Sequence, residues 1–151
     1  MPDGLYERDA LAWSERQAAL LRRLAAGERL NETIDWAKII EEVQDVGLSE
    51  LRACQSLLRQ AMLHSLKLRA WPDSAAAAPW RQETGTLLDD AKDRFTPSMR
   101  QRIDLDELYA KALRRARSVT DDKGHPRQLP DVCPFTSNQL LDGDVSVLMP
   151  D

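Results

Sequence analysis

Four side chains in the first half of the chain have types and spacing that could do chemistry: Glu41, Glu42 and Asp45 in the run EEVQD, and His64 further on. Helical bundles hold metal ions between carboxylates and histidines that project from facing helices. The set therefore defines one hypothesis, a metal-dependent enzyme with its site between helices near Glu42 and His64. The residue count argues against the di-metal version of it. That site takes about six ligands, with a Glu-x-x-His pair on each of two helices, whereas this chain has 2 histidines and neither follows a Glu by three positions. On a helical wheel Glu42 and His64 lie on flanks of the apolar face, while Glu41 and Asp45 point outward. The ordinary alternative is a solvated carboxylate face with a Glu42 to His64 hydrogen bond, and no cofactor is predicted.

Two further groupings invite chemistry. Cys133 with His125 would make a nucleophile and base if the thiol sat in a positive setting, but Val132 and Pro134 around it favour a small packed residue. Arg100, Arg102, Arg114, Arg115 and Arg117 would bind phosphates if they shared a face. Asp104, Asp106, Glu107 and an acidic tail are available to pair with them. Aromatics are 5% of the chain and the pI is about 5.3, so nucleic acid ranks last among the partners. There is no GxSxG elbow, HExxH helix, glycine-rich phosphate loop or paired CxxC, which closes the usual motif routes to hydrolase, metalloprotease, nucleotide and zinc assignments.

The elements that must position these groups are all helical. The longest stretch runs from Asp35 to Trp71. Its first part, capped by Asp35, places Trp36, Ile39, Ile40, Val43 and Val46 on one face, which is expected to be buried. Gly47 is expected to break or bend the helix, with Ser49 as the next cap. The second part places Leu51, Cys54, Leu57, Leu58, Ala61, Ser65 and Leu68 on one face, and Met62, Leu63 and Leu66 widen it. Before it, Leu5 to Ala26 reads as one amphipathic helix with Gln17 inside the stripe, the usual mark of a buried amide with a partner, and Gly27 as its C-cap. After Pro72, Trp80, Thr84, Leu87, Leu88, Ala91 and Phe95 form a fourth stripe. Leu105, Leu108, Tyr109, Ala112, Leu113, Ala116 and Val119 form a fifth, with arginines in its last turn, where the helix dipole favours cations. Thr136 and Gln139 read as a capping box that opens a short helix. These patterns predict an all-α, single-domain bundle over 1–151, with about five main helices in 1–120 and a proline-rich tail, 121–151, docked on it.

With 151 residues, 42% of them hydrophobic and 30% charged, the composition is that of a globular chain. No apolar run approaches the ~18 residues of a membrane span, and the acidic N-terminal stretch lacks the pattern of an export signal. A soluble cytoplasmic protein with Cys54 and Cys133 reduced is the expectation. The net charge of −4 is unevenly spread: residues 1–48 carry −4, residues 49–120 carry +4 and residues 121–151 carry −4. An acidic tail folded onto the basic middle would follow from that distribution.

The ordered segments LYERDALAW from Leu5, DWAKIIEEVQDVGLSE from Asp35, MLHSLKLRAWP from Met62, PWRQ from Pro79 and LPDVCPF from Leu129 resemble a bacterial family, the domain of unknown function numbered twenty-nine. Gly85 and Phe135 depart slightly from its pattern. The resemblance implies an α-helical fold, and it brings no established activity and no functional residues. The leading reading is thus a small module that binds a protein partner, or itself, through Leu63 and Leu66, which lie off the main stripe and need a covering surface from the tail or a second molecule.

Overall fold

In the computed structural model, which describes residues 3–118 and 125–150, the chain packs as two compact units, Met1–Leu48 and Ser49–Asp151. Among the described residues all regular structure is helical: α1 (Leu5–Arg8), α2 (Ala10–Ala25), α3 (Trp36–Ala70), α4 (Ala77–Arg94), α5 (Leu105–Arg117) and α6 (Ser137–Leu141). Short 3-10 turns at Pro97–Met99 and Val145–Leu148 complete it.

The first unit shows where local chemistry interrupts periodicity. The stripe from Leu5 to Ala26 is divided between α1 and α2, because Asp9 leaves helical geometry and its carboxylate accepts from the Ala12 N–H at 3.0 Å, which caps α2. Gly27, at φ 85°, ends α2 as expected. Its N–H reaches the Leu24 carbonyl and the Glu28 N–H reaches Arg23, the paired bonds of a left-handed helix end. Gln17 is buried, and its side-chain carbonyl accepts from the Asp35 N–H at 3.0 Å. Asp35 in turn caps α3 through the Lys38 N–H at 3.3 Å and accepts from Trp13 Nε1 at 3.2 Å. One aspartate thereby ties α2 to the start of α3, above a small core of Trp13, Leu20 and Ile34.

Helix α3 does not break at Gly47 but runs unbroken from Trp36 to Ala70, with Ser49 inside it. A mid-helix glycine costs only about 1 kcal/mol relative to alanine, too little to end a helix held by packing. A Cβ built on Gly47 meets nothing within 4 Å, and its φ is not positive. Gly47→Ala should therefore stabilise the protein by about 0.5–1 kcal/mol, read as a raised melting temperature. A lower one would mean that the glycine serves as a bend.

The second unit holds the larger core. Cys54, Leu58, Ala61, Met62, Ser65, Leu66 and Leu68 of α3 are buried with Leu88 and Ala91 of α4, and with Tyr109, Ala112 and Ala116 of α5. The small residues let backbones approach, so that Cys54 Sγ lies 3.5 Å from the Ala91 carbonyl. The tail closes the core with Phe135, Leu140 and Leu148, and Phe135 packs edge-on to Tyr109 at 6.5 Å between ring centroids. Polar contacts fix the tail. The Arg127 N–H reaches the Ala70 carbonyl at 2.9 Å, Tyr109 Oη donates to the Pro130 carbonyl and Ser65 Oγ to that of Leu148. The predicted capping box of Thr136 and Gln139 is present in full. Val119, placed on the α5 stripe by its spacing, lies outside the described residues.

Candidate functional site

The structure does not join the sequence-predicted pair. Glu42 belongs to the first unit, where it accepts from Tyr6 Oη at 2.5 Å. His64 belongs to the second, where its Nε2 lies 3.3 Å from a carboxylate oxygen of Glu83 on α4. Periodicity ranks residues by face but cannot say which helix covers that face, and Glu83 carried no signal beyond being one glutamate among many. Among the described residues no three of His, Cys, Asp and Glu converge to hold a metal ion. His64 sits on the wall of a cavity of about 640 Å³ in the second unit, with Gln60, Gln82, Glu83, Thr86 and Leu87. Burial holds the imidazole below its ordinary pKa; Glu83 pulls it up and Lys67 adds to the lowering. The neutral ring therefore predominates at pH 7, with Nδ1 buried and without a hydrogen-bond partner.

The assignment of Leu63 and Leu66 as an open surface is corrected. Leu66 has no exposure, and Leu63 is partly buried against the same core. The covering surface they require comes from within the chain. An apolar stripe does stand open, but elsewhere: Trp36 is 51% exposed, Ile40 57%, Val43 68% and Val46 70%. This reverses the expectation that they form a buried face. The reason lies in α1. Tyr6 packs on the polar flank of α3, bonding Glu42 and lying under Lys38, whose Nζ is 4.2 Å from the ring centroid. In the first turns of α3 the flank carrying Lys38 and Glu42 is thus the covered side. At 100° per residue the four exposed side chains span about 120° of arc, one continuous apolar strip, and Ile39 beside them is half-buried.

Several of the remaining groups are engaged. Arg100 contacts Asp142 at 3.3 Å and Asn138 at 2.8 Å, and Arg117 contacts Asp131 at 2.6 Å. The acidic tail thus meets two of the five arginines weighed as a phosphate-binding patch. Burial pushes the Cys133 thiol up, while its contact with the Phe135 carbonyl carries a smaller opposing effect. Cys54 is buried and likewise raised, and both cysteines are free. Among the described residues no helix is long and apolar enough to cross a membrane.

An all-helical protein with an open apolar strip on α3 and a partly polar cavity beside His64 is the class this fold defines. The chain belongs to the family of the domain of unknown function DUF29, whose model matches residues 5–145. It is similar to a crystal structure of an alpha-helical protein of unknown function from Rhodospirillum rubrum, at 31% identity and a TM-score of 0.65, covering 96% of this chain and 98% of that one. No curated protein matches it.

Proposed function

We propose that this is a bacterial cytoplasmic binding module without catalytic activity of its own, whose open strip on α3 receives a basic amphipathic helix of a partner protein. The observation that carries the reading is the exposure of Trp36, Ile40, Val43 and Val46 together on one helix face. Scattered apolar residues are common on surfaces, whereas a contiguous strip of large ones marks a docking face. Helix-in-groove recognition reads such a strip through anchors at i, i+4 and i+7, the spacing of Trp36, Ile40 and Val43. Charge selects the partner. Residues 1–48 carry a net −4, so two copies meeting through this face would repel, and a basic helix would be attracted.

A synthetic leucine- and lysine-patterned helix is the probe, with calorimetry for affinity and sedimentation equilibrium for mass. Micromolar binding to a monomeric protein is expected. The double variant Ile40→Glu, Val43→Glu adds two negative charges, so attraction by charge alone would tighten. Apolar docking instead loses about 1.5–3 kcal/mol for each side chain that would be fully buried, and the affinity falls at least about 10-fold. Unchanged or tighter binding would end the docking reading. A dimer dissolved by the same double variant would assign the strip to a second copy and end the partner-helix reading.

A further inference from the structure

The cavity beside His64 and Glu83 has a hydrogen-bonding character that no sequence motif announces. Its polar groups are distinguished by which of their donors are already committed. Gln60 Nε2 donates one of its two N–H groups to Ser56 Oγ at 2.9 Å, and the amide carbonyl of Gln60 stands available as an acceptor. Thr86 Oγ1 donates to the Gln82 carbonyl at 3.2 Å, which leaves that hydroxyl only its lone pairs. Glu83, with its side chain 53% exposed, is a carboxylate that can only accept. His64 Nε2 lies 3.3 Å from the same carboxylate. The wall therefore offers acceptors from Glu83, Gln60 and Thr86, with one full negative charge and apolar surface from Pro79 and Leu87. At about 640 Å³ it falls within the range of small-molecule sites.

We propose that this cavity, between α3 and α4, is a binding site for a small organic cation carrying a primary ammonium group. An ammonium offers three donors and a charge. Glu83 takes the charge, the Gln60 carbonyl and Thr86 hydroxyl take the remaining N–H groups, and a short alkyl stem lies on Pro79 and Leu87. An anion would meet the like charge of the Glu83 carboxylate. A neutral alcohol would supply one donor where three acceptors wait. The site is independent of the α3 strip and of what binds there.

The test is two-dimensional NMR of the full-length protein, following the His64 imidazole and the backbone amides of α3 and α4 during titration with n-butylammonium. n-Butanol and butyrate serve as isosteric neutral and anionic controls. Saturable shifts confined to this cavity with a millimolar Kd are expected for the ammonium alone. Glu83→Gln, at an exposed position, should weaken binding at least tenfold. Glu107→Gln, which removes a carboxylate paired with Lys111 on α5, should leave it unchanged. Equal shifts from butanol would overturn the proposal, as would binding that survives Glu83→Gln. Zinc that binds through His64 and Glu83, with no response to the amine, would overturn it in favour of a metal site.

Discussion

Leu66→Ala is expected to destabilise the second unit by about 2–5 kcal/mol, the range for removing a buried leucine side chain from a core that only partly collapses around the space. Leu66 has no exposure and lies in one contiguous cluster with Leu58, Met62, Leu88, Tyr109 and Leu140. Leu63, three residues away and partly buried, already spends part of its surface in water, and Leu63→Ala should cost less than half as much. The contrast is measured by urea denaturation followed by circular dichroism. An equal loss for the two variants, or a larger one for Leu63, would mean that α3 is rotated from the arrangement described. The comparison also decides between two readings of one helix face. A surface leucine lost from an interface leaves monomer stability almost untouched, whereas a core leucine does not.

Asp35→Ala is the second large effect, expected at about 2–4 kcal/mol and confined to the first unit. Two losses combine. The cap on the Lys38 N–H is worth about 1 kcal/mol, and the Trp13 indole N–H, left beside a methyl group, costs about 1–3 kcal/mol in a buried setting. The bond from the Asp35 N–H to Gln17 survives the substitution because it uses the backbone. Asp35→Asn should fall between the two, since an amide oxygen can serve one donor while its NH₂ meets the other. Amide hydrogen exchange in α2 and the first turns of α3 is the measurement that localises the change. Unaltered protection there in Asp35→Ala would show that this junction does not hold the two helices together.

These two residues also mark how far the sequence could be read. Asp35 was legible because a helix cap is a local event: side chain and N–H lie three positions apart, and nothing distant is needed to bring them together. The same holds for Gly27, for the Thr136 and Gln139 box, for the six described stripe residues of α5, all buried, and for Gln17, whose polar side chain inside an apolar stripe demanded a partner. The open strip on α3 was not legible. Trp36, Ile40, Val43 and Val46 have the same periodicity as the buried residues that follow them, and periodicity reports a face without reporting what covers it. Nor could His64 be matched to Glu83, since side chains on different helices meet only through packing that no spacing encodes.

Most helix positions, the caps at Gly27, Asp35 and Thr136, the all-α class and the family resemblance were thus determined by the sequence alone, because each rests on contacts within a few residues or on patterns repeated along one element, whereas the division at Asp9 was missed. Tertiary structure decided the rest. It carried α3 unbroken through Gly47, because one glycine costs less than the packing on either side returns. It buried Leu66 in one core with Leu140 and Leu148 of the tail, and it left the Trp36 to Val46 strip open, because Tyr6 bonds the polar flank of α3 and covers that side. It also set Gln60 and His64 of α3 beside Glu83 and Thr86 of α4 around one cavity, because only packing brings side chains of different helices together.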